Sequence, residues 1–432
     1  MLISFSVRNY KAFREKAEWS LVASADKSHE ATHVVSLPKF KLRLLKSAVV
    51  YGANGSGKSK LVEAMSFMRF FVLNSFRETQ QGEPIKVDPF RLSTETADEP
   101  SEFEILFHAQ DTLYRYGFEA TSGRIVAEWL FYRATTKEVE LFYRNDEETT
   151  FSRGFGSAVT SLVKENGVSE NTLLLSLAAR LNQPHAKAVS NWFKNLKILS
   201  GLDSTGYWGF TMKELGKPDR KQAVLDLLRQ ADFDFEDTTV EAPDESQIKF
   251  PEGVPKEVRE NFIGQLTDVS VAHRRYDKNQ LPADTVNFSL RGDESAGTQK
   301  FLALTGPLLE AIEKGAVLVA DELDSRLHPA LVCHIVRLFH ANTTSTAQLL
   351  FNTHDTNLLS AGEFRRDQIW FTEKDRYGAG TLYSLSDFKT DKVRKGDNFE
   401  RNYIEGRYGA VPYLGDTTAL PTSSPSLDEN AG

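Results

Sequence analysis

The chain has 432 residues, of which 40% are hydrophobic and 26% are charged, and its formal net charge at pH 7 is −8. This length allows two or three lobes with large cores. The acidic balance excludes a uniformly basic surface for nucleic acid, but it is compatible with a local basic groove. Cys333 is the only cysteine, which excludes an intrachain disulfide and is typical of a reducing compartment.

The N-terminal stretch "MLISFSVRNYKAF" alternates like a β-strand and lacks the long apolar run of a signal peptide. No other stretch approaches the roughly 18 apolar residues that a membrane span requires. We therefore expect a cytoplasmic protein without a membrane partner.

A glycine-rich loop follows in "SAVVYGANGSGKSKLVEAM", where Gly52, Gly57, Lys58 and Ser59 satisfy G-x-x-x-x-G-K-[ST]. An apolar strand pattern precedes the loop and a helical pattern follows it, as a phosphate-binding loop requires. Backbone N–H groups and the helix N-terminus can then point at phosphate oxygens. Lys58 is predicted to neutralise the β- and γ-phosphates of ATP, and Ser59 to ligate Mg²⁺. The predicted nucleotide-binding residues of the loop are Gly52, Ala53, Asn54, Gly55, Ser56, Gly57, Lys58, Ser59 and Lys60.

A long segment, from about residue 72 to residue 290, separates this loop from the next motifs. Its first part, around "FEILFHAQDTLYRYGFEATSGRIVAEWLFYR", predicts an antiparallel meander. Its second part contains helical patterns such as "LLLSLAARLNQPHAKAVSNWFKNL". Without a sustained heptad pattern, a long coiled-coil arm is not expected. The densest basic spot is "HRRY", His273–Tyr276, which a charge cluster at a strand edge explains better than a DNA contact.

The stretch "GDESAGTQKFLALTG", Gly292–Gly306, predicts a turn that leads into a helix beginning at about Thr298. Ser295 offers a hydroxyl group, and Gly297 permits close approach of another group to the backbone. Taken alone, this stretch indicates a capped helix start with ordinary turn chemistry.

The acidic strand motif lies in "GAVLVADELDSRLHPALV". Ala316–Ala320 is a continuous apolar run, typical of a buried parallel strand, and Asp321 and Glu322 follow it. Ligands bind at the carboxyl ends of such strands. Asp321 is predicted to reach Mg²⁺ through its water shell. Glu322 is predicted to accept a proton from the attacking water, or at least to orient it.

Another short apolar run, "AQLLF", predicts a strand, and His354 stands just past its end. A histidine at this place can contact the γ-phosphate and respond to its presence. The predicted catalytic residues are therefore Lys58, Glu322 and His354. A further helix is predicted to begin near His328 and Pro329, since proline suits the first helical turn.

The order of these motifs resembles an ABC-type ATPase head, and the long separation between Lys58 and Asp321 resembles the RecF, Rad50 and SMC branch. More narrowly, the chain is similar to the AAA15/AAA21 group of ABC-type ATPases (RloA/AbiLi-like, related to the OLD ATPases), many of which are associated with phage defence. The stretches that carry this resemblance are "SFSVRNYKAF", "YGANGSGKS", "NTLLLSLAA", "ESAGTQKF", "ADELDSRLHP", "NTHD" and "YIEGRYGAVP".

The resemblance implies an α/β fold, namely an ABC-type P-loop NTPase head with a mixed sheet flanked by helices, an inserted antiparallel β meander and a helical lobe. We expect the N-terminal lobe of the head with the P-loop at 1–71, the β-rich lobe at 72–160 and a helical insertion or lid at 161–285. The C-terminal lobe of the head, with the signature turn, acidic strand, D-loop and switch histidine, is expected at 286–414. The tail, 415–432, is rich in Ser, Thr and Pro, lacks Lys and Arg, and is predicted to be disordered.

By the same resemblance, Ser295, Gly297 and Thr298 form the signature turn, although the LSGGQ sequence of transporters is absent. In this architecture the turn binds the γ-phosphate of an ATP held by a second subunit. Asp324 corresponds to the D-loop acid, which lies across the dimer seam.

Two further roles follow from the resemblance. Tyr10 and Lys11 are candidates for contacts to the base or phosphates, as the matching N-terminal strand makes in relatives. The glutamine that completes the metal site stays open among Gln80, Gln81 and Gln110.

The implied function is an Mg²⁺-dependent ATPase that forms a dimer or higher homo-oligomer around ATP and acts as a conformational switch or sensor. In phage defence it would be the ATPase subunit of an abortive-infection system. The stretch after His354 leaves no room for the nuclease domain of OLD proteins, so the effector, a nuclease or toxin, is expected to be a separate protein. One alternative is a RecF-like DNA-repair ATPase, with nucleic acid as its partner. The other is a transporter subunit, which the large insert and the atypical signature disfavour.

Overall fold

The computed structural model describes residues 1–78, 82–165, 167–244, 248–251, 253–254, 256–389 and 397–412. The predicted tail, 415–432, and two of the glutamine candidates, Gln80 and Gln81, lie outside the described residues.

The strands of the described residues are numbered in chain order. They are β1 Leu2–Arg8, β2 Ala17–Ser20, β3 Val34–Leu37, β4 Leu42–Leu45, β5 Ser47–Gly52, β6 Ser101–Ala109, β7 Thr112–Ala120, β8 Ile125–Arg133, β9 Val139–Arg144, β10 Thr149–Phe151, β11 Lys197–Ser200, β12 Asp237–Glu241, β13 Asp268–Tyr276, β14 Pro282–Ser289, β15 Val317–Asp321, β16 Gln348–Asn352, β17 Ile369–Lys374 and β18 Gly380–Ser384.

The helices are numbered in the same way. They are α1 Glu30–His33, α2 Lys58–Glu78, α3 Ser157–Lys164, α4 Leu174–Arg180, α5 Pro184–Asn195, α6 Thr205–Leu215, α7 Pro218–Gln230, α8 Lys256–Leu266, α9 Ala296–Lys314, α10 Pro329–Ala341, α11 Asn357–Ser360 and α12 Phe399–Ile404. Short 3₁₀ turns lie at Pro38–Phe40, Arg366–Gln368 and Leu385–Asp387.

The centre of the molecule is a six-stranded sheet with the order β11-β15-β16-β5-β17-β18. Neighbouring strands are parallel except at the β17–β18 edge. The three apolar runs that predict buried strands are β5, β15 and β16, and they lie side by side. Their carboxyl ends therefore meet at one edge of the sheet, which is where the sequence places the glycine loop, the acids and the histidine.

Alternation along the central strands divides the core into two layers. On β5, Ala48 and Val50 pack into the core that includes α2, whereas Val49 and Tyr51 pack into the opposite core with α9 and α10. Because both faces are covered, β5 is buried throughout and reads as a continuous apolar run rather than an alternating one.

The predicted meander forms an antiparallel sheet with the order β10-β9-β8-β7-β6-β1-β2. The N-terminal strand β1 pairs with β6 here, and not with the central sheet. The alternation of apolar and polar residues in β1 predicts a strand. It does not predict which strand β1 pairs with, because that depends on contacts with residues about 100 positions later in the chain. The expected lobe 1–71 is therefore divided among three sheets, since β1 and β2 join the meander, β5 joins the central sheet, and β3 and β4 form a two-stranded sheet of their own.

The segment expected to be helical, 161–285, also contributes strands. β11 joins the edge of the central sheet beside β15, and β12, β13 and β14 form a three-stranded antiparallel sheet. β11 has only four residues, which is too short to show a period. None of the described helices combines the length and the apolar character that spanning a lipid bilayer requires.

The basic "HRRY" stretch forms the C-terminal end of β13, the central strand of the three-stranded sheet. Arg274 pairs with Glu236, and Arg275 pairs with Asp284 on the neighbouring strand β14. Carboxylates of the same chain therefore pair with both guanidinium groups.

Candidate functional site

A cleft of about 860 Å³ opens at the carboxyl end of β5, where the glycine loop passes into α2. The parallel order of the central strands brings residues from three distant motifs to this cleft. The predicted residues that line it are Asn54, Gly55, Gly57, Lys58, Ser59, Lys60, Glu322 and His354.

The glycine loop is held tightly against β17. The Ser56 hydroxyl group lies 2.6 Å from the Thr372 hydroxyl group, and Ser56 is buried. A side chain at Gly52 would collide with the same Thr372 and with Ser56. Gly57 has a φ of 117°, a conformation that L side chains rarely adopt. The loop therefore requires glycine at both pattern positions, and the Ser56 side chain faces the protein rather than the cleft.

Lys58 is buried, with 6% of its surface exposed. Its Nζ donates hydrogen bonds to the carbonyl oxygens of Gly52 at 2.7 Å and Ala53 at 3.2 Å, which hold the ammonium group over the loop. Burial lowers the pKa of Lys58, and the negative charges of Glu322 and other nearby acids oppose this shift. These carboxylates therefore lie within electrostatic range of the loop lysine.

The acids at the end of β15 are fixed by Asn352, the last residue of β16. The Asn352 amide donates a hydrogen bond to Asp321 Oδ1, and its Oδ1 accepts one from the Glu322 backbone N–H at 2.6 Å. Glu322 adopts a left-handed backbone, with φ of 51°, a conformation that in non-glycine residues clusters at functional sites. Sequence reasoning missed Asn352, although it stands two residues before His354 in the "NTHD" stretch.

Gly201, which directly follows β11, is a second supporting residue that sequence reasoning missed. Its backbone N–H donates to the Asp321 carbonyl oxygen at 2.6 Å. A Cβ atom at this position would overlap the Glu322 carbonyl group. Only glycine permits the two strand ends to approach this closely, so the position of Glu322 depends on the absence of a side chain at Gly201.

If the cleft hydrolyses ATP, as the resemblance implies, Gly201→Ala is expected to lower the turnover about 100-fold, because it displaces the Glu322 backbone and misplacement by about 1 Å can cost that much. ATP affinity, measured by calorimetry, is expected to change only a few-fold. Gly206→Ala is the matched control, since a Cβ atom there meets nothing within 4 Å. Equal turnover of the two variants would contradict this role for Gly201.

The turn predicted to be the signature motif begins α9. Ser295 is the N-cap, and its hydroxyl group accepts a hydrogen bond from Thr298 N–H at 3.1 Å. Ser295 is exposed, whereas Thr298 is buried. Neither they nor Gly297 line the cleft of their own chain. The turn therefore has the geometry of a capped helix start at an exposed residue, with the Ser295 hydroxyl group bonded to the N–H and hydroxyl groups of Thr298.

This turn is joined to the loop that follows the acids. A Cβ atom on Gly297 would lie 2.8 Å from the Arg326 carbonyl oxygen. Lys300, buried on α9, donates hydrogen bonds to the carbonyl oxygens of Leu323, at 3.0 Å, and Ser325. Burial lowers the pKa of Lys300 to about 8. The signature turn and the loop Leu323–Arg326 thus form one structural unit, held by a lysine that sequence reasoning did not single out.

Asp324 and His354 meet at the end of β16. One carboxylate oxygen of Asp324 accepts a hydrogen bond from the His354 backbone N–H at 3.1 Å. The other, Oδ1, is buried and has no hydrogen-bond partner among the described residues. The His354 side chain is exposed and lines the cleft. The predicted D-loop acid therefore positions the predicted switch histidine within the same chain.

Tyr10 and Lys11, the two candidates for contact with the base or phosphates, have different environments in the structure. The Tyr10 ring is buried beside Phe67 and Phe103, and burial raises its pKa. Tyr10 is therefore a core residue, and the candidate contact to the base or phosphates is not supported. Lys11 does line the cleft, and its ammonium group pairs with Glu63.

Lys60, predicted to bind nucleotide, and Gln110, one of the candidates for the metal-site glutamine, have environments that the sequence does not predict. Lys60 lines the cleft, but its ammonium group pairs with Glu63 at 2.6 Å. Gln110 lies in the turn between β6 and β7 and lines a separate cavity. Of the three glutamine candidates, the one that the structure describes therefore does not line the cleft at the glycine loop.

The outer wall of the cleft comes from the irregular segment before β6. Asp88, Pro89, Arg91 and Leu92 line it, and the Asp88 carbonyl oxygen accepts a hydrogen bond from the Lys11 backbone N–H at 2.8 Å. This wall was not predicted, because the segment has neither a strand nor a helix period.

The donor set suits a magnesium ion that is bound together with phosphates. Among the described residues, no group of three or more His, Cys, Asp and Glu side chains could hold a metal by itself. Mg²⁺ usually takes one or two protein oxygens and completes its shell with water and substrate phosphates. Ser59 lines the cleft, whereas Asp321 stands behind the lining residue Glu322 with its carboxylate bonded to Asn352; the Ser59 hydroxyl group and the Asp321 carboxylate would be oxygen ligands of this kind.

Comparison with known proteins gives a family and two similar solved structures. The model of the family described as "AAA domain, putative AbiEii toxin, Type IV TA system" matches residues 47–360, more than half of the chain. The chain is similar to the SMC head domain from Thermotoga maritima, with TM-score 0.37 and 11% identity over 89% of this chain and 98% of that one. It is also similar to an SmcHead bound to the C-winged helix domain of ScpA, with TM-score 0.41 and 14% identity over 91% and 99%.

Comparison with curated proteins finds no match. The family match includes the glycine loop, the acidic strand and the histidine that the cleft brings together. The chain belongs to the family described as "AAA domain, putative AbiEii toxin, Type IV TA system", and it has the α/β fold of an ABC-type P-loop ATPase head.

Proposed function

We propose that this protein hydrolyses ATP in an Mg²⁺-dependent reaction, and that two copies close around two ATP molecules. The observation that carries the proposal is the division of the predicted residues between two surfaces. Lys58, Glu322 and His354 share one cleft, whereas the turn at Ser295 faces away from it. A complete site then requires the turn of a second copy.

Within one chain, the glycine loop would bind the phosphates through its backbone N–H groups and the N-terminus of α2. Lys58 would neutralise charge on the β- and γ-phosphates. Mg²⁺, held by Ser59 and Asp321, would supply further positive charge to the phosphates. Glu322 would accept the proton of the attacking water, and the exposed His354 imidazole would donate to the γ-phosphate.

Across the seam, the second copy would supply its Ser295 hydroxyl group, the backbone at Gly297 and the N-terminus of α9, to which Thr298 belongs. These groups suit an anion, since a helix N-terminus offers unpaired N–H groups and a positive dipole end. Asp324 belongs to the loop that Lys300 joins to this turn, so it would lie at the seam near the partner's site, where its carboxylate holds the His354 backbone. ATP would thus hold the pair closed, and loss of the γ-phosphate would release it.

We further propose that this cycle is a switch in anti-phage defence, in which the ATPase controls a separate effector nuclease or toxin. The support is the resemblance to the AAA15/AAA21 group and the family description, which names a putative toxin and a type IV toxin–antitoxin system. Co-purification of the native protein with the product of an adjacent gene tests this. We expect the association to depend on ATP: it should either be lost when ATP is added or appear only when ATP is present.

Ser295→Arg is expected to leave ATP binding by the monomer within about twofold and to abolish ATP-induced dimers. The arginine side chain would occupy the space that the γ-phosphate of the second copy's ATP needs. It would not disturb ATP binding in its own chain, because residue 295 lies outside that cleft. Light scattering after gel filtration, in a Glu322→Gln background that preserves ATP, measures the dimer. Ser157→Arg, at the exposed start of α3, is the matched control. Normal dimers of Ser295→Arg would refute the signature assignment.

A further inference from the structure

A second, polar groove lies between the C-terminal half of α2 and the helices α4 and α5. Its volume is about 650 Å³, and it is separate from the nucleotide cleft. α2 connects the two sites: Asn74, in the groove wall, lies about 24 Å along the helix from Lys58, at about 1.5 Å per residue. Whatever binds the groove would therefore not compete with ATP directly.

The groove carries positive charge only, as far as the described residues show. Arg180, Lys187 and Lys194 line it, all three are exposed, and no described carboxylate lines it or pairs with them. This contrasts with the net charge of −8 and with the arginines of the "HRRY" stretch, which carboxylates neutralise. Cations for which the described side chains supply no counter-charge are suited to an anionic partner.

The spacing of the cations follows one helix face. Lys187 and Lys194 stand two turns apart on α5, and Ser190 and Asn191 lie between them on the same side. Asn74 faces them from α2. A row of alternating ammonium, hydroxyl and amide groups along about 10 Å suits a repeating anionic backbone better than a single small ion.

An aromatic side chain completes the groove. Phe76 lines its wall and is 44% exposed, although burial of an aromatic ring is normally favourable. A cationic groove beside an exposed ring is the arrangement that binds single-stranded nucleic acid, in which phosphates meet the cations and an unpaired base stacks on the ring. A run of Asp and Glu residues offers carboxylates but no flat ring system for Phe76.

We propose that this groove binds single-stranded nucleic acid, with the phosphates along α5 and a base against Phe76. The proposal goes beyond ATP-driven pairing and does not depend on it, because the groove and the cleft share no lining residue.

The test is fluorescence anisotropy with labelled 20-nucleotide dT and rU strands and the full-length protein without nucleotide. The double variant Lys187→Glu with Lys194→Glu is expected to weaken the binding of dT, rU or both by tenfold or more. Phe76→Ala is expected to weaken it about tenfold. The matched control is Lys137→Glu with Lys278→Glu, which changes the same charge at two exposed turns without any described ion pair. It is expected to bind within about twofold of the unaltered protein.

A salt titration separates phosphate contacts from general charge. Lys187→Ala with Lys194→Ala is expected to reduce the slope of log affinity against log salt by about 1.4, since each phosphate contact on a single strand contributes about 0.7. Equal loss in the control pair, an unchanged slope, or a preference for a duplex of the same sequence would overturn the proposal. The proposal would also be overturned if polyglutamate displaced the labelled nucleic-acid strand when both were present at the same concentration of negative charges. Unaltered melting temperatures show that the exposed substitutions leave the fold intact.

Discussion

Glu322→Gln is expected to reduce steady-state ATP hydrolysis by about 10²- to 10⁴-fold, the usual contribution of a general base. The amide of glutamine has the shape of the carboxylate but cannot accept the proton of the attacking water. The backbone hydrogen bond from residue 322 to Asn352 does not involve the side chain, so the strand end keeps its position. ATP should bind as before, and the proposed dimer should persist for longer because its ATP is not consumed.

Phosphate release measures the turnover, and gel filtration with ATP measures the dimer. Glu147→Gln, at an exposed turn between β9 and β10, is the matched control and should retain full activity. Unchanged turnover in Glu322→Gln would exclude the catalytic role. Lost turnover together with lost ATP affinity would instead assign Glu322 to nucleotide binding.

Lys58→Ala should weaken ATP binding by roughly 10- to 100-fold, as the loss of charge-assisted hydrogen bonds worth about 1.5–3 kcal/mol implies. The effect should be larger for ATP than for ADP, since Lys58 is proposed to contact the γ-phosphate. Nucleotide-dependent assembly should disappear with it. The acids that now offset the Lys58 charge would then face the phosphates without compensation.

Lys46→Ala is the matched control for removing a buried lysine. Lys46 is 2% exposed and its ammonium group also donates to backbone carbonyl oxygens, those of Phe339 and Asn342, away from the cleft. Both variants should lose stability in thermal melting, but only Lys58→Ala should lose ATP affinity by calorimetry. Undiminished affinity in Lys58→Ala would refute the P-loop assignment.

The features that sequence predicts well here are those encoded within one short stretch. The glycine pattern fixes where β5 ends and α2 begins, and the apolar run before Asp321 fixes a buried strand with an acid at its end. Each depends on residues that are neighbours along the chain. The family resemblance then supplies the order in which these strand ends meet.

The features that sequence does not predict depend on contacts between distant segments. Gly201 and Asn352 support the acids only because β11 and β16 flank β15 in the sheet. Nothing in the four residues of β11 shows which strand it will join. Tyr10 failed as a base contact for the same reason, since β1 pairs with β6 and its following turn carries the ring into the core.

The two hydrogen bonds from Lys300 to the loop, at Leu323 and Ser325, have a consequence for cooperativity. In the proposed pair, the turn that closes on one ATP cannot move without the loop beside the other ATP. Occupation of one site would therefore prepare the second, and a half-filled pair would be disfavoured. The response to ATP concentration should then be steep, with a Hill coefficient approaching the number of sites.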